Sequence, residues 1–233
     1  MHISIVIPTF QEADTIEPCL VSLACQTEPF DVFVADGAST DGTRPHLTRL
    51  SSILPYPFDW GMAPERGRGL QCNWGADRTV GETLLFLHAD TRLPPNALAD
   101  LRVALARAEV VGGRFDLGFD TNRWPYPLMA RVINIRTRLV RRFTGDMGIF
   151  VRRSVFDKLD GFPAQPLMED LEFSARLFEV GEVAALKTQV VTAARRWQKR
   201  GVWRTIALMQ LLRGAYALGV SPERLADWYR PVR

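Results

Sequence analysis

Leu84, Leu85, Phe86 and Leu87 form an unbroken apolar run that ends abruptly in His88, Ala89, Asp90 and Thr91. A run of strand length with polar groups only at its C-terminal end describes a strand buried on both faces of an α/β sheet. Ligands of such sheets gather outside the carboxyl ends of the strands, so Asp90 emerges where a binding site is expected. A carboxylate there can hold a divalent cation, and the cation can neutralise a diphosphate. A cap on the helix after Pro94 and Pro95 accounts for Asp90 equally well at this level.

The preceding chain repeats the same logic. Ile3 to Ile7 is a β-branched strand stopped by Pro8. Asp14 and Glu17 have capping-box spacing, and Ile16, Leu20 and Leu23 recur at helical intervals. Phe30 to Ala35 forms the next strand. Asp36 to Thr43 is rich in turn residues and ends in helix-start signals, a place for backbone amides to meet a ligand. A helix is expected from about Arg44 to Ile53, then a proline-punctuated loop. Gly67-Arg68-Gly69 opens a small-residue stretch reaching Ala76, where backbone can approach a ligand and Arg68 offers a phosphate fork. It matches neither a Walker loop nor a dinucleotide fingerprint. Leu98, Leu101 and Leu105 follow on one helical face. Strand and helix alternate, which predicts a parallel sheet with right-handed crossovers.

The second half changes character. Val110 to Phe119 alternates enough for a strand crossing the sheet edge. Trp124 to Phe143 reads as a basic, apolar-striped helix, and Gly145-Asp146-Met147-Gly148 as a turn before the strand Ile149 to Val151. A helix carrying Leu171, Ala175 and Phe178 on one face begins near Glu169 and Asp170, whose charged forms its N-terminus favours. Val183 to Thr192 gives one or two strands. Gly201 to Leu218 reads as a long amphipathic helix with Trp203, Ile206, Met209, Leu212 and Tyr216 on one side. A short helix over 222–229 closes the chain. No repeat or linker interrupts the 233 residues, so one domain is expected.

Composition narrows the function classes. Hydrophobic content of 47% and charged content of 24% describe an ordinary globular chain. The net charge is only +3, yet arginines cluster over 131–142 and 195–204, which suits phosphate groups or an anionic membrane surface as well as solvated helix faces. No nucleic-acid-binding motif accompanies them, so nucleic acid is not expected as a partner. Cys19, Cys25 and Cys72 lack metal-ligand spacing and are odd in number, which points to a reducing compartment. With no signal peptide and no run of roughly 18 apolar residues, a cytoplasmic protein is expected, with attachment at the inner face of the membrane left open.

Four separated motifs then agree: Ile5-Val6-Ile7-Pro8-Thr9-Phe10-Gln11-Glu12, Asp36-Gly37-Ala38-Ser39-Thr40-Asp41-Gly42-Thr43, Leu87-His88-Ala89-Asp90-Thr91 and Met168-Glu169-Asp170. In order and spacing the chain resembles the family 2 glycosyltransferases of the GT-A fold, and among them the radical-SAM/selenodomain-associated transferases. Gly67-Arg68-Gly69, Gly145-Asp146-Met147-Gly148 and Arg195-Arg196-Trp197 extend the likeness over nearly the whole chain. The resemblance implies a mostly parallel central sheet flanked by helices, with residues 1–108 binding the nucleotide sugar and 109–233 the acceptor.

It also implies roles. Family 2 enzymes are inverting, so an acceptor oxygen displaces a nucleoside diphosphate in one step. That chemistry needs a general base and charge stabilisation on the leaving group. Asp170 matches the catalytic carboxylate. Asp90 matches the last residue of the Asp-x-Asp metal motif, and His88 stands where the first aspartate would be. Histidine suits Mn²⁺ better than Mg²⁺, so Asp90 is the safer ligand of a divalent metal, Mn²⁺ or Mg²⁺. Pro8, Thr9 and Glu12 line the nucleotide pocket, Asp36 accepts from the base N–H, and Arg68 meets the base or phosphates. Uracil's single ring N–H between two carbonyls favours a UDP-sugar over a GDP-sugar. Arg195, Arg196 and Trp197 stand where relatives carry Gln-x-x-Arg-Trp, but the glutamine is missing, so processivity is not carried over. The acceptor is expected to be a lipid or small molecule, with peripheral membrane contact and a homodimer as further partners.

Two rivals remain. A nucleotidyltransferase would open with a glycine-rich, basic loop after the first strand, which Pro8 to Glu12 is not. A degenerate transferase that only binds sugar nucleotide or a membrane surface would not need both Asp90 and Asp170.

Overall fold

The computed structural model describes residues 1–229. The elements in chain order are β1 (Ile3–Thr9), α1 (Ile16–Leu23), β2 (Phe30–Asp36), α2 (Thr43–Ser51), β3 (Phe58–Met62), α3 (Arg68–Ala76), β4 (Thr83–Phe86), β5 (Thr91–Arg92) and α4 (Ala97–Leu105). They continue with β6 (Val110–Phe119), α5 (Tyr126–Val140), β7 (Ile149–Arg152), α6 (Arg153–Lys158), α7 (Glu169–Val180), β8 (Glu182–Thr192), α8 (Arg195–Arg200), α9 (Val202–Ala217) and α10 (Pro222–Trp228).

The strands form one sheet in the order β3-β2-β1-β4-β7-β6-β8-β5. The first four run parallel. β7 lies antiparallel between β4 and β6, and β8 runs parallel to β6. The chain order reverses beside β1, between β2 and β4, and the carboxyl ends of these three strands share one edge. That reversal is where an open α/β sheet has a crevice for ligand.

Leu84 to Leu87 are buried on both faces of the sheet, as the run of apolar residues requires. One face packs α1, α2 and α4 through Leu20, Leu47 and Leu101; the other carries Phe156, Phe162 and Phe173 around Phe86. Each such side chain contributes about 1.5–3 kcal/mol when fully buried.

Several local expectations are corrected. The proline-punctuated loop contains strand β3, whose register runs from Val32 opposite Phe58 to Asp36 opposite Met62. The Asp14–Glu17 capping box does not form; Thr15 precedes the helix and its hydroxyl donates to Glu12 Oε2 at 2.6 Å. β6 is interior to the sheet rather than at its edge, and its Gly113 lies where a Cβ would stand 2.3 Å from the Ala184 carbonyl. The small-residue stretch from Gly67 to Ala76 is helix α3: a Cβ on Gly75 would stand 2.4 Å from Val6 Cγ1, so its smallness seats a helix on the sheet. α7 buries Leu171 as expected, together with Phe173, Ser174 and Leu177, while Ala175 and Phe178 are only partly buried. α9 buries most of its expected stripe: Leu212 is buried, Ile206, Met209 and Tyr216 are partly buried against the core, and Leu212 with Leu225 anchors α9 and α10 on Leu167, Met168 and Leu171. Trp203 departs from it, 64% exposed and tilted against Trp124. The three cysteines are free thiols. Among the described residues no helix is long and apolar enough to cross a membrane.

Candidate active site

The loops after β1 and β2 are fastened to each other. Gln11, with φ of 57°, accepts from the backbone N–H groups of Thr40 and Asp41 at 2.8 and 3.1 Å through its side-chain oxygen. Its own N–H donates to Ser39 Oγ, and the Glu12 N–H donates to Thr43 Oγ1. Buried Gln71 of α3 donates to the carbonyls of Thr9 and Ala35 at 2.9 and 2.7 Å, tying the ends of β1 and β2 together. Thr9 is itself buried, so it shapes this floor mainly through its backbone, while Pro8 is half-buried beside it. Asp36 ends β2. Its Oδ2 accepts from the Ser39 N–H at 2.9 Å, and its buried Oδ1 has no partner among the described residues. That leaves an unmatched acceptor at the switch point.

Asp90 and Asp170 face one cleft of about 300 Å³, with Arg68, His88, Asp146, Glu169 and Arg196 also on its walls. Asp90 leaves the end of β4, and its carboxylate receives only a long 3.5 Å hydrogen bond from Thr91 among the described residues. Asp170 sits in the first turn of α7. Its Oδ2 accepts from the Gly145 N–H and its Oδ1 from the Leu171 N–H, each at 2.8 Å, so two backbone donors fix its orientation. Gly145 is wedged between Asp170 and His88, because a Cβ there would stand 2.5 Å from His88 Nε2. Burial, then the charges of Arg68 and Arg196, hold His88 well below its ordinary titration range, so the imidazole is neutral.

Glu169 is buried beside Arg68, with Arg68 Nε 3.2 Å from Glu169 Oε1. Burial raises its pKa against the pull of Arg68, opposing the charged form that the helix N-terminus favours. Arg68 thus joins the starts of α3 and α7 at the cleft. Glu12 pairs with Arg195 and receives the Thr15 hydroxyl; burial nevertheless raises its pKa, and the charge of Asp90 adds to the rise. Pro8, Thr9, Glu12 and Asp36 do not line the Asp90–Asp170 cleft, so the residues expected at the nucleotide and the carboxylate pair fall in two regions, near enough for the charges of Glu12 and Asp90 to repel.

The sequence profile of glycosyl transferase family 2 matches residues 4–160, well over half of the chain. The chain belongs to glycosyl transferase family 2. It is 27% identical over 197 residues to the PGL/p-HBAD biosynthesis glycosyltransferase of Mycobacterium tuberculosis, covering 82% of this chain and 75% of that one. In fold it is similar to S. aureus TarS 1–349 in complex with UDP-GlcNAc, with a TM-score of 0.67, 20% identity, and coverage of 83% and 58% of the two chains. It is also similar to the mannosyltransferase PcManGT from Pyrobaculum calidifontis in complex with GDP-Man and Mn²⁺, with a TM-score of 0.71, 23% identity, and coverage of 95% and 66%. The chain spans 56% of the length of a further relative from Haloferax volcanii, so it is shorter than several proteins it matches.

A divalent metal is expected at Asp90, and the donors around it bear on that expectation. No cluster of three His, Cys, Asp or Glu side chains able to hold a metal occurs among the described residues. A cation held by one or two protein ligands together with substrate phosphates needs no such cluster. A lightly bonded carboxylate and a neutral imidazole fit that arrangement.

Sequence reasoning missed two supports of this site. Gly145 acts through its N–H and its lack of a side chain, neither of which a residue pattern advertises. Gln71 lies inside the small-residue stretch that reads as a ligand-approach segment; its burial at the strand ends marks it only once the fold is known.

Proposed function

We propose that the chain is an inverting glycosyltransferase that moves a sugar from a UDP-sugar to an acceptor hydroxyl. The single observation that carries this reading is the shared cleft of Asp90, at the donor end of β4, and Asp170, fixed by two backbone N–H groups at the start of α7. Asp170 takes the acceptor proton while the acceptor oxygen bonds to the anomeric carbon. The bond from that carbon to the diphosphate oxygen breaks, and its electron pair leaves with the nucleoside diphosphate. Asp90 and His88 would hold a divalent metal, which when bound supplies positive charge to the departing diphosphate. Mn²⁺ suits the imidazole better than Mg²⁺. Arg196 and Arg68 add fixed positive charge on the same cleft. The unmatched Asp36 Oδ1 can accept a ring N–H of the base, such as that of uracil. The finer likeness to the radical-SAM/selenodomain-associated transferases rests on the ordered motifs alone.

Asp170→Asn tests the base. The isosteric amide should abolish transfer while nucleotide affinity stays near wild type; turnover that survives removes Asp170 from the role.

A membrane surface is the partner we infer for α5. Leu128, Val132, Ile135 and Leu139 are more than half exposed on it, and Arg131, Arg138, Arg141 and Arg142 lie on or just beyond the same helix. Apolar residues with a basic border suit an anionic interface. Co-sedimentation with phosphatidylglycerol vesicles that weakens with salt is expected, and its absence retires this part of the reading.

A further inference from the structure

Two arginines on the cleft are not used in the donor chemistry proposed above. Arg136 projects from α5 and Arg213 from α9, and both line the same cleft as Asp170. The buried Nη2 of Arg136 has no hydrogen-bond partner among the described residues. Arg213 makes no hydrogen bond or ion pair among the described residues; Asp146 and Asp170 act on it only through their charge. Burial and the charge of Arg213 pull Arg136 down to about 10. Asp146 is the carboxylate that acts on both, and burial pushes it toward its neutral form. Two half-buried guanidiniums with so little compensation are costly to hold together, and an arriving anion relieves that cost.

The walls next to the pair are apolar. Leu128, Val132 and Ile133 of α5 face Ile206 and Met209 of α9 across the cleft. Charge at the end of an apolar channel is the complement of an amphiphile with an anionic head. The planar guanidinium fork suits a phosphate in particular.

We propose that Arg136 and Arg213 form a second anion site, which holds the phosphate group of an amphiphilic acceptor whose apolar tail lies between α5 and α9. The word acceptor rests on the glycosyltransferase reading; the anion site stands on the two arginines themselves. The phosphate is a recognition group, and the hydroxyl that reacts at Asp170 belongs to the same molecule.

The test is titration of the full chain with octyl phosphate, octanol and inorganic phosphate, followed by calorimetry and by the fluorescence of Trp197 and Trp203, which line the cleft. Octyl phosphate should bind at least tenfold tighter than either of the others. Arg136→Gln and Arg213→Gln should each weaken it at least tenfold while leaving nucleoside-diphosphate affinity within twofold. Arg136→Gln should melt no lower than wild type, because it removes an unmatched buried charge. Should it fail to fold, Arg136→Lys replaces it and should still weaken octyl phosphate through loss of the fork. Equal binding of octyl phosphate and octanol, or of octyl and inorganic phosphate, overturns the proposal. So do variants that bind as wild type, and variants that lose nucleoside diphosphate in parallel, since the pair would then serve the donor. Failure of the glycosyltransferase reading shows separately, as a wild-type chain that binds no nucleoside diphosphate at all.

Discussion

Gly145→Ala is a substitution of one methyl group with a consequence that can be worked from the site. The new Cβ would stand 2.5 Å from His88 Nε2 and 3.1 Å from His88 Cε1. Heavy atoms of this kind settle at about 3.5–4.0 Å, so roughly 1 Å of separation must be found. The half-buried His88 ring already lies against this turn, so the turn over Gly145–Met147 is expected to move. That displacement draws the Gly145 N–H off Asp170 Oδ2, where it now sits at 2.8 Å. A misplacement of about 1 Å at a reacting group costs on the order of a hundredfold in rate, or about 2.7 kcal/mol. Overpacking adds about 1–3 kcal/mol of destabilisation. The assay is release of nucleoside diphosphate from a sugar nucleotide, run beside calorimetric nucleotide binding and a thermal melt. Turnover should fall about a hundredfold, with nucleotide affinity within a few fold of wild type. Adding His88→Ala removes the clash, so the double variant should turn over no more slowly than His88→Ala alone. Independent, additive losses in the double variant would refute the steric argument, as would a Gly145→Ala enzyme of near-normal rate.

Two further perturbations probe the frame of the site. His88 is held neutral in the fold while the unfolded chain takes a proton below its ordinary pKa of about 6.5. Its lowered pKa therefore contributes stability that is full above pH about 6.5 and is lost as pH falls below that value, by at most about 1.4 kcal/mol per pH unit. Melting at pH 7.5 and pH 5 should show a larger acid loss in wild type than in His88→Gln, and equal losses would contradict the assignment. Gly75→Ala sets a Cβ 2.4 Å from Val6 Cγ1 and should destabilise the fold by about 1–3 kcal/mol in denaturant unfolding. An unchanged midpoint would mean that α3 can lift off β1 freely.

The fold was legible where burial is two-sided. Ile3 to Ile7, Phe30 to Ala35 and Leu84 to Leu87 read as strands because nothing but a sheet interior accommodates such runs, and Asp36 and Asp90 could be put at their carboxyl ends. β3 was hidden because prolines flank it and Gly61 interrupts it, and that glycine is there to admit the Trp74 ring, whose Cη2 would stand 2.8 Å from a Cβ. α3 was hidden for a related reason: its glycines suggest a ligand loop, whereas Gly69 and Gly75 serve helix contacts. In the second half, Asp170 was reached through a motif, but its backbone donors were not, since an N–H carries no signature in a residue string. Arg136 belongs to the 131–142 cluster, which suits phosphate, a membrane surface or a solvated face alike, and Arg213 lies outside both arginine clusters. Only the meeting of α5 with α9 turns those two inward, and that contact depends on a tertiary arrangement no periodicity encodes.

The most direct test of the central claim is calorimetric titration of UDP and GDP, each with and without Mn²⁺, into wild type and Asp90→Ala. UDP should bind tightly only with the metal, and that binding should vanish in Asp90→Ala. Metal-independent binding that survives the substitution, or no binding of either nucleotide to wild type, would contradict a donor site built on Asp90.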